Sequence, residues 1–347
     1  MTISTISDSS GPSIQLVRGE LGRAQADELL GFWAQRGALP PGEARRRLSE
    51  VVCVLRQDGA VVGVSSVFAA ALPLIGGRRF WVYRSLLDRR AAEQSAAMIQ
   101  ATFEALASAF DGSTAAPLGL CVLLAGEEDR RRFPLVQPAD APLFYAGYLD
   151  DGRQVRLAYF EGADISMPPG SGAARFPQPE TLPAPGYTIS HFAEQDLVSG
   201  AEVVEFWQRE GALRSVAEAQ RRVSEILLVA THRGGGLAGV STTYLQGNPQ
   251  LRADLWHTRV FIAERHRRSH LALALAIGAR DGLAERFASG ADRRAIGVLF
   301  DVESTALKHA GCQAVWPLVG STFIGLGPDG SHVRVNYFPG ARTPEPE

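Results

Sequence analysis

The chain is written twice. Phe32-Trp33-Ala34-Gln35-Arg36-Gly37-Ala38-Leu39 returns as Phe206-Trp207-Gln208-Arg209-Glu210-Gly211-Ala212-Leu213 at an offset of 174, and Trp81 returns as Trp256 at 175. Between them, Glu43-Ala44-Arg45-Arg46-Arg47-Leu48-Ser49-Glu50 parallels Glu218-Ala219-Gln220-Arg221-Arg222-Val223-Ser224-Glu225, again at 175. Further on, Val155-Arg156-Leu157-Ala158-Tyr159-Phe160 parallels Val333-Arg334-Val335-Asn336-Tyr337-Phe338 at 178, a drift that a few loop insertions explain. A period of this size is a whole domain duplicated rather than a solenoid repeat. The fold must therefore be one that a unit of about that length completes by itself. Places where the copies differ are then the natural places for function.

With 347 residues, 46% hydrophobic and 21% charged, the chain can bury two ordinary cores and is too apolar for disorder. A formal net charge of -2 offers no electrostatic footprint for nucleic acid, which is excluded as the main partner. Cys53, Cys121 and Cys312 are far apart in apolar surroundings, with no Cys-x-x-Cys or Cys/His pair at ligand spacing. They read as reduced core thiols of a cytoplasmic protein, and no metal site is expected. Met1 to Pro12 has neither a basic start nor an apolar run, so a short disordered tail is expected at 1–12, with no signal peptide or membrane span.

Residues 166–186, proline-rich and punctuated by small residues, read as a linker between an N-terminal domain at 13–165 and a C-terminal domain at 187–342. In each half an alternating first strand precedes a helix ending at Gly37 or Gly211, where glycine suits a left-handed cap. A second helix carries the Arg-Arg/Ser-Glu motif. A β-rich run follows, turned by Asp58-Gly59 or by Gly234-Gly235-Gly236 into a partner strand. Then come a strand at 80–86 or 256–262, a long helix at 91–110 or 267–287, a buried strand at 118–124 or 295–300, a short helix in the second half, and a final hairpin around Asp151-Gly152 or Asp329-Gly330. The order β-α-α-β-β-β-α-β-α-β-β predicts an α/β (mixed α+β) fold with two tandem units, each a mixed, mostly antiparallel sheet flanked by helices.

That order, with a helix starting directly after the fourth strand, resembles the GNAT N-acetyltransferase superfamily in its double-domain form. The family's most specific motif is Arg/Gln-x-x-Gly-x-Gly/Ala at the start of the long helix, where unpaired amides and the helix dipole hold the pyrophosphate of coenzyme A. The matching stretch in the second half is Arg267-Arg268-Ser269-His270-Leu271-Ala272, with histidine in the place of the glycine. In the first half Ala92-Glu93-Gln94-Ser95-Ala96-Ala97 puts Glu93 where phosphate would sit. The resemblance thus implies a degenerate first half and a second half that binds the thioester, with the oxyanion held by backbone amides near Val260, Phe261 and Ile262.

Amide formation needs a base for the ammonium and a proton donor for the thiolate. Candidate bases are His257, Glu225 and Glu264. A hydrogen-bonded strand histidine is the plainer account of His257. Glu225 repeats as Glu50, and Arg259 as Arg84, so structural ion pairs are expected there. The family's usual acid is a tyrosine in the helix after the fifth strand, where this chain has Leu307. Tyr337 is the candidate replacement, although its repeat as Tyr159 favours the core, and His309 reads as a solvated helical residue. Of the two arginine runs, Arg130 to Arg132 lacks a strand-to-helix setting and Arg265 to Arg268 has one.

The resemblance implies an N-acyltransferase that moves an acyl group from acyl-CoA, or from an acyl-phosphopantetheine carrier protein, to a primary amine of an amino acid, peptide or small molecule. The acceptor pocket would lie between the halves, and the protein would be a monomer or dimer. Two alternatives stand beside it: a non-catalytic GNAT-like scaffold, and a Fem-type aminoacyl transferase, which the lack of a basic surface for tRNA disfavours.

Overall fold

The computed structural model describes residues 11–113, 116–127, 135, 143–165, 182, 185–213, 215–267 and 269–344. Most of the expected linker, most of the expected tail and the run Arg130 to Arg132 lie outside them. The first half contains β1 (Ser13–Leu16), α1 (Arg23–Gln35), α2 (Pro41–Arg47), β2 (Val51–Gln57), β3 (Ala60–Leu72), β4 (Arg78–Leu87), α3 (Ser95–Ser108), β5 (Gly119–Leu124), β6 (Phe144–Tyr148) and β7 (Gln154–Tyr159). The second contains β8 (Tyr187–His191), α4 (Gly200–Arg209), α5 (Val216–Arg222), β9 (Ile226–His232), β10 (Leu237–Asn248), β11 (Ala253–Ile262), α6 (Leu271–Ala288), β12 (Gly297–Val302), α7 (Thr305–Ala310), β13 (Val315–Trp316), β14 (Ser321–Leu326) and β15 (His332–Tyr337). The sheets run β1-β2-β3-β4-β5-β7-β6 and β13-β14-β15-β12-β11-β10-β9-β8. Among these pairings only β4 with β5 and β11 with β12 are parallel. The α/β class and the two mixed sheets flanked by helices are as the sequence predicted.

Local chemistry accounts for the elements. Asp58 and Gly59 both have positive φ (51° and 78°), the primed-turn conformation that matches strand twist, and so close the β2–β3 hairpin. Ser199 and Glu202 form a capping box on α4, with Glu202 N–H donating to Ser199 Oγ at 3.3 Å and Ser199 N–H to Glu202 Oε2 at 2.7 Å. The paired tryptophans share a task. Trp33 is buried with Leu29, Phe32, Ala44 and Val54, and Trp207 with Val203, Phe206, Ala219 and Val229, so each cements two helices onto one sheet face. The long helices α3 and α6 cover the opposite faces.

One expectation shifts. Helix α6 begins at Leu271 rather than 267, because Glu264–His266 form a 3-10 turn and His270 takes the left-handed conformation (φ 57°) at the cap. Histidine thus holds the backbone shape that the motif's glycine would adopt more easily.

The halves meet through their C-terminal hairpins in a pseudo-twofold arrangement. Tyr159 Oη donates to Phe323 O at 3.0 Å, and Tyr337 Oη to Tyr145 O at 2.7 Å, so both donors and both acceptors are related by the offset of 178. Gln250 sits between the two edges, its Nε2 donating to Ala146 O at 2.9 Å and to Ile324 O at 2.8 Å. Gly147, at φ 119°, passes so close that an added Cβ would lie 2.4 Å from Gln250 O. One core cluster spans both halves and includes Phe80, Tyr145, Leu255, Phe323 and Tyr337.

Tyr337 is therefore an interface residue, and burial raises its phenol well above the ordinary range. This corrects its candidacy as a proton donor: its hydroxyl is committed to the other half. Tyr337→Phe is expected to lower stability by about 1–2 kcal/mol, because Tyr145 O loses its partner in a buried site. Denaturant unfolding of the variant beside the wild type checks it.

Candidate functional site

Strand β11 pairs with β12 only at Trp256–Val298, His257–Leu299 and Thr258–Phe300. Beyond that point β11 continues to Ile262 against β10, and β12 continues to Val302 against β15. The two parallel strands therefore diverge, and the sheet opens into a cleft of about 600 Å³. Its walls come from both faces of the sheet: Trp207, Val240 and Phe261 on the α4 side, and Thr258, Val260 and Ala276 on the α6 side. Every lining residue belongs to the second half. This cleft lies within the second half and not at the seam around Tyr145 and Tyr337, where the sequence expectation placed the acceptor pocket.

Two polar groups at the point of divergence are turned toward the cleft, one a side-chain hydroxyl and the other a main-chain amide beyond the end of the ladder. Thr258 is 5% exposed, and its Oγ1 has no hydrogen-bond partner among the described residues. A buried hydroxyl left unpaired is unfavourable by about 1–3 kcal/mol, so it marks a place where another molecule can bond. The second group belongs to the main chain. Ala263 N–H donates to Ala238 O, and Asp254 O accepts from Ile296 N–H on the other edge of the strand. Strand alternation therefore turns the main-chain groups of Val260 toward β12 and those of Phe261 toward β10. Val260 lies past the last ladder pair, so its N–H faces the open cleft; Phe261 contributes its ring to the wall.

The first half shows why the corresponding site there is small. A depression of about 120 Å³ is lined there by Trp33, Ala38, Leu39, Arg47, Val64, Ser66, Arg84, Ser85 and Leu86. Each has a counterpart in the large cleft at an offset of 174 to 176. The mouth is thus common to both halves and the interior is not. Thr258 is replaced by Tyr83, which is buried among Met98, Ile99, Leu120 and Val122. Along the helices the buried set Met98, Ile99, Thr102 and Leu106 falls on Leu275, Ala276, Ala279 and Leu283 at an offset of 177, so Ile99 stands where the cleft has Ala276. A ring and a branched side chain fill the first half's cleft from within.

The sequence-predicted residues distribute as follows. Val260, Phe261 and Ala272 line the cleft. Arg267, Ser269 and His270 form the turn that enters α6 beside it, with Arg267 Nε donating to Ile262 O at 3.4 Å and Ser269 Oγ to His266 O at 2.6 Å. Among the described residues no side chain caps α6 at His270, which leaves its first amides open. Ile262 and Leu271 are buried together in the helix–sheet core, and Arg268 lies outside the described residues. His257 is buried behind the cleft, its ring 5.2 Å from that of Tyr244, and burial followed by Arg259 lowers its pKa. Glu225 pairs with Arg259 at 3.6 Å, as Glu50 does with Arg84 at 3.5 Å, which are the repeated ion pairs the sequence suggested. Leu307 lines the cleft, and His309 is exposed on α7.

Sequence reasoning missed Thr258 and Asp301, both in the cleft wall. The available signal was the duplication itself, since Tyr83 and Leu123 stand at the corresponding positions.

No protein-family model and no curated protein matches the chain. Parts of it are similar to solved structures. One is an acetyltransferase of the GNAT family from Streptococcus pneumoniae, at 14% identity over 44% of this chain and 99% of that one, TM-score 0.30. Another is the GNAT family N-acetyltransferase YhbS from Escherichia coli in complex with CoA, at 18% identity over 46% and 84%, TM-score 0.30. A third is a spermidine N-acetyltransferase chimera from Vibrio cholerae and hSSAT, at 13% identity over 44% and 95%, TM-score 0.28. At such identities and scores none of them speaks to what this cleft binds.

Proposed function

We propose that the protein is an N-acyltransferase whose second half, residues 187–342, takes an acyl group from a coenzyme A or carrier-protein thioester and places it on a primary amine. The first half, residues 13–165, serves as a packed partner joined through the linker at 166–186. The observation that carries this reading is the cleft at the divergence of β11 and β12, open on both sheet faces and furnished at its apex with the Thr258 hydroxyl and the Val260 amide. A thioester entering from one face and an amine from the other would meet there.

The Val260 N–H would bond the oxygen that gains charge in the tetrahedral intermediate, a role for a preorganised backbone donor. The uncapped amides of α6, with Arg267 and Ser269 beside them, would hold the donor's phosphates. The aromatic and aliphatic walls would take the pantetheine arm and the acyl chain. Leu307 supplies no proton at the tyrosine place, so the departing thiolate takes its proton from the acceptor nitrogen or from water.

The test is incubation with short and long acyl-CoA thioesters and a set of primary amines, following thiol release and thermal stabilisation. Release with at least one pair, and stabilisation by coenzyme A that is lost in Arg267→Glu and kept in Glu93→Ala, is the expected result. Stabilisation without release under any pairing would favour the scaffold reading, for which the Leu307 substitution speaks. Absence of both thiol release and stabilisation would end the proposal.

A further inference from the structure

We infer that Asp301 is the general base of this acyl transfer: its carboxylate receives the acceptor's ammonium and removes a proton from it. The inference rests on the acyltransferase reading and assigns that site's missing base. None of the three sequence candidates fills the role: His257 lies behind the cleft wall, Glu264 sits exposed in the turn before α6 and outside the cleft lining, and the Glu225 carboxylate faces Arg259.

Three observations single out Asp301. It follows Phe300, the last residue of β12 paired with β11, so its carboxylate stands where the strands part. Strand alternation places it on the opposite face from Phe300 and on the same face as Arg259, which is the side of the shared mouth. Register places it on a position that is apolar in the filled half. Asp301 pairs with Val333 as Leu123 pairs with Val155, so the open half carries a carboxylate where the filled half carries a leucine. The fold does not require an acid there.

Its surroundings leave the carboxylate free to act. Ser331 Oγ donates to Oδ1 at a long 3.4 Å, and among the described residues Asp301 is in no ion pair within 4.0 Å. The charged groups around it are Arg259 on β11, Glu303 beyond the end of β12, Asp329 in the turn that carries Ser331, and Lys308 on α7, which donates to Gly330 O at 3.1 Å. Asp301 is solvent-exposed at the cleft, yet partial desolvation raises its carboxyl above the ordinary aspartate range, which Ser331 and Arg259 partly offset and Asp329 reinforces. A raised pKa makes a better base at neutral pH.

The step balances without a further reactant. The ammonium gives one proton to Asp301, and the freed amine forms the C–N bond at the thioester carbonyl. As the tetrahedral intermediate collapses, the C–S bond breaks, and the second proton on nitrogen goes to the leaving sulfur. Asp301 then returns its proton to water.

Asp301→Asn tests this, with acetyl-CoA and octanoyl-CoA as donors and a panel of lysine, ethanolamine and a lysine-containing peptide as acceptors. The variant should melt as the wild type does and keep its stabilisation by coenzyme A, while kcat/KM falls by about 10²–10⁴-fold. The pH profiles carry the sharper reading. Wild-type activity is lost only as pH falls through the Asp301 carboxyl, because the enzyme deprotonates a bound ammonium. In Asp301→Asn the rate instead climbs with pH toward the acceptor's own pKa, near ~10 for a lysine side chain. Asp301→Glu should restore part of the rate and the wild-type profile. Activity of Asp301→Asn within about threefold of wild type, or an unchanged profile, overturns the assignment of the base and leaves the acyltransferase reading standing. A wild type inactive with every pairing overturns both.

Discussion

Thr258→Tyr is expected to abolish both acyl-thioester turnover and stabilisation by coenzyme A while leaving the fold intact. The substitution copies into the second half what the first half already holds, since Tyr83 occupies the same register position beside the parallel pair. At Thr258 the side chain points to the α6 side and borders the open cleft, so a phenol ring can enter without displacing packed groups. The ring would occupy the space at the apex and cover the Val260 amide. Misplacing reacting atoms by about an ångström already lowers rates by about a hundredfold, and filling the apex should do more. Thermal melting with and without coenzyme A, beside a thiol-release assay, checks both halves of the expectation. An unchanged affinity would mean that the thioester binds elsewhere. Thr258→Val separates bulk from bonding: it keeps the shape, removes the hydroxyl and should weaken binding by only about 1 kcal/mol.

The second large effect is structural. Arg334 is fully buried, and burial pushes its pKa down to about 9. Its guanidinium stacks 3.9 Å above the ring of Trp316 and donates to Ala314 O at 3.1 Å, Gly311 O at 3.0 Å and Gln313 O at 2.6 Å. Those carbonyls belong to a segment that also joins the halves, through Ile165 N–H to Cys312 O at 2.8 Å and Ala314 N–H to Ala163 O at 2.9 Å. Arg334→Met should cost about 3–5 kcal/mol, because it preserves bulk but removes the charge-assisted donors that fix a loop. For a unit of this size that lowers Tm by roughly 6–20 °C. Calorimetry measures it, and a shift under about 2 °C would show that water replaces the guanidinium. Trp316 also lines the cleft, so donor affinity should weaken in the same variant.

The expectations that succeeded share one physical basis. Hairpins at Asp58-Gly59 and Gly234-Gly235-Gly236, caps at Gly37 and Gly211, and the apolar strand 51–55 depend on local conformational preference and periodicity, which a sequence displays directly. The repeat of Glu225 as Glu50 and of Arg259 as Arg84 marked those pairs as frame, and both ion pairs form. Asp301 was hidden for a local reason. The buried strand reads as ending at Phe300, while the structure carries β12 to Val302, which moves Asp301 from a helix approach to a strand position on the cleft wall. Tyr337 was ambiguous because a buried strand tyrosine can point to a site or to a neighbouring domain, and only the packing of the halves shows its partner, Tyr145 O.

By itself, then, the sequence determined that one unit occurs twice, what elements it contains and in what order, because these follow from short-range conformational preferences and from a comparison of the copies. Tertiary structure decided where the cleft lies and what lines it. Divergence of β11 from β12 depends on how each strand packs against its other neighbour, and the filling of one half's cleft depends on volumes brought together from a strand and a helix. Such relations join residues distant in the chain, so no local pattern records them.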